Sequence, residues 1–368
     1  MKSTNRATRV AMLALVLAAS AANLMFGADA KEGKKGKEGN AAAPVAPLAE
    51  AKLLVTLPEA CNTPDGMCVM PDGSLIVSAP NVNDQTQSAV LLKVTPDNKA
   101  EVFYTMPKYP KTGKAFPMGI CLAPSGDLYV ADNQWFVAKD HEARVLRIPM
   151  KDGKPGEAVV VASGLVIANA VAVNGGYLYV TDSAMLPDTK PLVSGVYRFK
   201  LGEEGVAMQK PLDKDPHFVA RLETRNEQVP IGADGMAFGK DGSMYIGNFG
   251  DGYVHKFTFG KDGKVNSGKI FARAPQMRSC DGLFYHAATD QLIVADYMAN
   301  AIHVVSMKGV VRTLAANADE LPKGAIDAPC EAVVRGNEVI VSNMDMPFGD
   351  SVNKKFERPA TLSVIPLK

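Results

Sequence analysis

The sequence predicts an all-β chain, folded as a six-bladed propeller of four-stranded blades with an N-terminal strand closing the last blade. Three observations predict it. One unit recurs from end to end: an opening residue, alternating apolar positions, a Gly-rich turn and a returning strand. Its opening residues, Asp65, Met118, Asn169, Asp234, Asp281 and Glu331, follow one another at intervals of 53, 51, 65, 47 and 50 residues. A period of roughly 50 residues made of short strands describes a blade that buries its faces only against its neighbours. The 318 residues from Ala51 to Lys368 suit six such units in one domain.

At the N-terminus, Lys2, Arg6 and Arg9 precede an apolar run from Val10 to Phe26, and Ala28-Asp29-Ala30 offers small residues for cleavage. Residues 1–30 are therefore expected to be a secretory signal peptide, delivering the protein to the periplasm or the exterior. The run is short and alanine-rich for a span of roughly 20 strongly apolar residues, so no stable membrane anchor is expected. Residues 31–50, built of Lys, Glu and Gly and then Ala and Pro, have almost nothing to bury and read as a disordered leader. The formal charge of the whole chain is +1; removing three basic groups and Asp29 takes away +2 and leaves about −1. That balance carries no polyanion-binding footprint, so no nucleic-acid partner is expected. A monomer is expected.

The blades follow in order. Strand A of each lines the axis and begins at the opening residue; strand B returns after the turn, as in Met236 and Phe238, the turn Lys240-Asp241-Gly242, then Met244 and Ile246. Strands C and D complete the sheet, as in Ala89–Val94 and Glu101–Tyr104. The last blade has Thr361–Ile365 as its strand C and then the chain ends, so Lys52–Leu57 is expected to supply its outer strand and protect an edge.

This topology sorts the loops by face. The elaborated ones, 80–88, 133–142, 183–194, 220–232 and 344–358, fall on the face where strand A begins, and binding residues ride on such loops. The opening residues gather at the same mouth, and most are oxygen donors. Carboxylates plus an amide oxygen suit a hard divalent cation: calcium first, with zinc, magnesium or manganese as alternatives. Without a cation they would repel and raise one another's pKa. Turn chemistry explains any single Asp-Gly or Asn; the shared address of the set is what points to a site. A second ring at the ends of strand B, Asp132, Asp182, Asn248, Asp296 and Asn343, reads mainly as loop-bracing.

Asp65-Gly66, Ala168-Asn169-Ala170 with Leu178–Ser183, and Ala233-Asp234-Gly235-Met236-Ala237 with Tyr245–Asn248 resemble the motifs of the gluconolactonase, regucalcin and luciferin-regenerating-enzyme-like propellers, known together as the SMP-30/gluconolactonase/LRE-like family. The resemblance spans the mature chain. It implies a single divalent cation, with the family's Asn falling on Asn169, its Asp on Asp234 and its first-blade Glu on the shorter Asp65. Its Arg-x-Asn substrate stretch falls on Phe116-Pro117-Met118, so both polar contacts of that stretch are absent. That departure points away from a sugar lactone.

The expected chemistry is metal-dependent hydrolysis of a lactone or related ester. Asp65, Asn169, Asp234 and Glu331 are the candidate metal ligands, and Asp234 or Asp281 the candidate general base. Met118, Phe116, Trp135 and His141 are the candidate substrate contacts, although aromatic packing of the loop that carries Trp135 and His141 is the plainer account of those two. The alternative is a non-catalytic ligand- or protein-binding propeller with a structural central cation. No Gly-x-Ser-x-Gly elbow supports a catalytic triad. His255, His286 and His303 read as structural, and the five cysteines as small buried thiols.

Overall fold

The structure, a computed structural model, describes residues 46–319 and 325–367. The signal peptide and the leader as far as residue 45 lie outside the described residues. Six antiparallel sheets follow one another in the chain, each with at least four strands, and the described residues contain a single helical turn, Leu212–Lys214. The first blade is Met67–Val69, Leu75–Ala79, Val90–Val94 and Ala100–Thr105. The last is Pro329–Arg335, Glu338–Asn343, Thr361–Pro366 and, from the other end of the chain, Lys52–Thr56. Lys52 pairs with Val364 and Thr56 with Thr361, so the ring is closed by its own N-terminus, as expected. Just before that strand, the Leu48 and Ala49 amides donate to the carbonyls of Thr313 and Leu314 at 3.2 and 2.8 Å.

The repeat carries its local chemistry with it. In the fourth blade the Gly242 amide donates to Gly239 O at 2.9 Å, the glycine has φ +75°, and Asp241 accepts from the Ser243 amide at 3.0 Å. In the first blade Gly73, at φ +79°, donates to Met70 O at 2.9 Å, and Asp72 accepts from Ser74 N at 2.9 Å. A lysine from strand C closes both turns, Lys256 on Asp241 and Lys93 on Asp72. Positive φ at the glycine is what these tight connections need.

Two departures from the sequence reading concern the third blade. Strands Tyr177–Leu186 and Leu192–Lys200 run on through most of 183–194, leaving only 187–191 as a loop. Strand Phe218–Thr224 likewise shortens the next loop to 225–232. The interval of 65 residues in this region is explained by residues 201–217, part of which, Val206–Ala207, pairs in parallel with Ala162 and Ser163 on the outer strand of the second blade. The insertion thus covers a sheet edge that would otherwise be unpaired.

The inner strands meet around the axis at one repeated position, the residue after each opener: Gly66, Gly119, Ala170, Gly235, Gly282 and Ala332. A Cβ on Gly119 would lie 2.7 Å from Asn169 O of the next blade, and one on Gly282 would lie 2.4 Å from Cys330 O. Backbone approaches this close leave no room for a side chain. Gly282→Ala is accordingly expected to lower the unfolding free energy by about 1–3 kcal/mol, read from the denaturation midpoint, with the neighbouring inner strand displaced.

Candidate site at the mouth of the ring

That close contact sets the opening residues at one level around the axis. The Gly235 amide donates to Asp281 O at 3.1 Å and the Gly282 amide to Cys330 O at 2.7 Å. Hydroxyls on the second strands of three blades tie each of these to the next: Ser78 Oγ to Met118 O at 2.5 Å, Ser183 Oγ to Ala233 O at 2.7 Å and Ser342 Oγ to Asp65 O at 2.6 Å. Asn169 Nδ2 lies 3.2 Å from Ser183 Oγ.

Four of the openers are carboxylic acids, and they act on one another. Asp65 and Asp234 are buried, while Asp281, Glu331 and Asn169 are half-buried. Burial pushes Asp65 up to about 7, and burial with the negative charge of Asp65 pushes Glu331 up to about 8. Asp234 and Asp281 are raised well above the usual carboxylate range by burial and by the other acids. Hydrogen bonding to Asn169 works against the rise at Asp234, and hydrogen bonding to Cys330 works against it at Asp281. No lysine or arginine stands among the leading influences on any of the four. The buried Asp65 Oδ2 has no hydrogen-bond partner. A set of acids packed this way needs protons or a cation.

The donor set fits a hard cation in kind and in charge. Its side chains do not form a ligand sphere as they stand: among the described residues no group of three or more His, Cys, Asp or Glu is placed to hold a metal ion.

The remaining candidates divide. Met118 shares one apolar cluster with Trp135 and Phe136. Phe116 is buried against Phe136, ring centroids 5.2 Å apart, and its amide donates to Asp132 at 2.7 Å. His141 sits at φ +57° on the loop that carries Trp135. The second ring braces loops. Asp182 accepts from the Val166 and Ile167 amides at 2.9 Å each, and Asp296 from the Arg278 and Ser279 amides at 2.7 and 2.9 Å. All five cysteines are free thiols; burial pushes Cys61 and Cys68 up to about 12.

What the sequence reading missed is the roof. Phe249, Tyr297 and Met344 each follow directly on a second-ring residue, and all three are buried in the same cluster as Met118. Phe348 closes the group, 6.4 Å from the rings of both Phe249 and Tyr297. The Cys330 thiol lies 3.1 Å from Met344 Sδ. The repeat itself held the signal, because these three residues share an address just as the openers do.

No family model matches the sequence, and no curated protein matches it. Among solved structures, a gluconolactonase from Xanthomonas campestris is 15% identical over 87% of this chain and 90% of its own, with a TM-score of 0.55. The calcium-binding protein regucalcin from Agrobacterium tumefaciens is 12% identical over 88% and 95%, with a TM-score of 0.55. The chain has the six-bladed propeller fold of these proteins. The PQQ-bound aldose sugar dehydrogenase of Streptomyces coelicolor superposes equally well, at 16% identity over 88% and 99% with a TM-score of 0.56. The six-bladed propeller therefore identifies the scaffold alone, and the chemistry has to be argued from the mouth itself.

Proposed function

We propose that the protein is an exported hydrolase of lactones or related esters that works with one divalent cation at the mouth of the ring. The observation that carries this reading is the convergence of four acids in a buried place with no basic partner. The fold it shares with a gluconolactonase and with a calcium-binding protein supports the reaction class and makes calcium the first metal to test, ahead of zinc, magnesium and manganese.

Asp65, Asn169, Asp234 and Glu331 would hold the cation, with their side chains turned toward the axis from their present positions. When bound, the cation would supply Lewis-acid polarisation of the carbonyl and a more acidic water. Asp281 or Asp234, as carboxylate, accepts the proton of the attacking water as its oxygen bonds to the carbonyl carbon. The ester C–O bond then breaks, and the same carboxyl returns the proton to the departing alkoxide. The aromatic cluster beside the mouth would limit the access of bulk water to these groups.

That cluster also favours a second reading. A mouth closed by Tyr297 and Phe348 suits a binding propeller whose cation only rigidifies the ring. Metal analysis of residues 31–368, with hydrolysis assays on aliphatic and sugar lactones with and without chelator, separates the two. Chelator-sensitive turnover is expected, reduced at least about 10²-fold in Asp234→Ala. A bound cation with no turnover on any lactone would leave the binding propeller.

A further inference from the structure

We infer that the ligand of this mouth is a neutral, largely apolar small molecule, an ester or lactone flanked by hydrocarbon rather than hydroxyls, admitted when the tip of the loop 345–358, Met346 to Asp350, lifts. The inference rests on the hydrolase reading only for the reacting group; the flanking chemistry comes from the roof.

The surface beside the acids is made of Met118, Phe249, Tyr297, Met298, Met346 and Phe348, all packed in one cluster. Met118 is itself an opener, and Ala168 and Cys330, which directly precede the openers Asn169 and Glu331, belong to the same cluster, so it adjoins the ring of acids. The Tyr297 hydroxyl already donates to the Met346 carbonyl. A polyhydroxylated ligand would meet thioethers and ring edges, and its hydroxyls would be buried unpaired. A hydrocarbon flank would exchange one apolar contact for another.

The tip of the loop that completes the roof, Met346 to Asp350, is held by few bonds, whereas the rest is anchored by the buried Ser351 and Asn353, with Asn353 Nδ2 2.9 Å from Asp345 Oδ1. The inner part of the loop is fixed by Tyr297 on Met346, by the Val352 amide on Met298 O at 3.0 Å and by Asn83 Nδ2 on Asp345 O at 3.1 Å. Its outer part is pinned by two solvent-exposed ion pairs, Arg278 with Asp350 at 2.8 Å and Arg358 with Asp84 at 3.2 Å. Exposed pairs of this kind add little. Gly349 and Asp350 at the tip are themselves exposed.

The single tryptophan of the chain, Trp135, packs against this cluster and reports on it. The test is a titration of residues 31–368 with γ-lactams, which resist hydrolysis, carrying alkyl chains of increasing length, followed by Trp135 emission. Turnover of the matching γ-lactones and of glucono-δ-lactone is measured in parallel. The dissociation constant is expected to fall about fourfold for each added methylene. Phe348→Ala should flatten that dependence, and Phe348→Leu, which keeps apolar bulk, should restore it. Tyr297→Phe should speed hydrogen exchange at the Val352 amide, and a long-chain lactam should slow it again.

Affinity indifferent to chain length in the wild-type protein overturns the inference. So does turnover that is greatest on glucono-δ-lactone, and that result leaves the hydrolase reading standing. Chain-length-dependent binding with no turnover of any lactone does the opposite, keeping the ligand class and removing the hydrolysis.

Discussion

Chelator-treated protein is expected to be more stable at pH 5 than at pH 8, and saturating divalent cation is expected to erase that difference. Asp65 is pushed from 3.8 up to about 7 and Glu331 from 4.5 up to about 8, both chiefly by burial. Each binds its proton more tightly folded than unfolded. Their contribution is therefore fully present below about pH 4 and is lost as the pH rises through 7 and 8. With both groups, and with Asp234 and Asp281 raised in the same direction, the loss between pH 5 and 8 amounts to several kcal/mol. Asp234→Asn removes one of the mutually repelling charges, so it should raise the unfolding midpoint of the chelated protein at pH 8. In the presence of cation it should do the reverse, because a ligand is lost. The measurement is thermal unfolding at the two pH values with chelator and with calcium. A flat profile in chelator would show that the four acids are solvated rather than held together.

Much of the fold was legible because a propeller is periodic. An opener, a turn and a returning strand recur at nearly constant intervals, and one misread blade leaves the others in register. The N-terminal strand was legible from a count: the last unit lacks its outer strand, and Lys52–Thr56 is a strand with no other place. The ring of acids followed from the same logic, since the openers share an address. Legibility ended where contacts join blades. That residues 201–217 cover the second blade depends on packing between segments some 40 residues apart, for which local pattern has no signal. The extension of strands through 183–194 was hidden by turn-like composition, Pro187 to Pro191, which forms a shorter connection than the sequence suggested. The roof was hidden for a related reason. Phe249, Tyr297 and Phe348 come from three different blades, and aromatic residues after strand ends look like ordinary loop packing until the ring brings them together.

The largest purely structural effect is expected at the second ring. Arg144 Nε lies 2.6 Å from Asp132 Oδ2, and neither side chain is more than 6% exposed. Arg144 also donates to Pro107 O at 2.8 Å, and its guanidinium lies 4.8 Å from the ring centroid of Tyr109. Asp132 receives only two other donors, the Phe116 amide at 2.7 Å and Gln134 Nε2 at 2.9 Å. Burial already raises Asp132 despite the arginine, so its charge depends on that partner. Removing one member of a buried pair strands the other, and Arg144→Ala is expected to cost about 3–5 kcal/mol in chemical denaturation. The fifth blade supplies the internal comparison. Asp296 meets His303 Nε2 at 3.1 Å at the corresponding place, and it also accepts from Arg278 N, Ser279 N, Ser279 Oγ and Ala299 N. With four donors remaining, His303→Ala should cost only about 1–2 kcal/mol. Equal losses at the two positions would mean that the cavity left behind, rather than the orphaned carboxylate, sets the cost. In that case Arg144→Met, which refills the space without the charge, should recover most of the stability lost in Arg144→Ala.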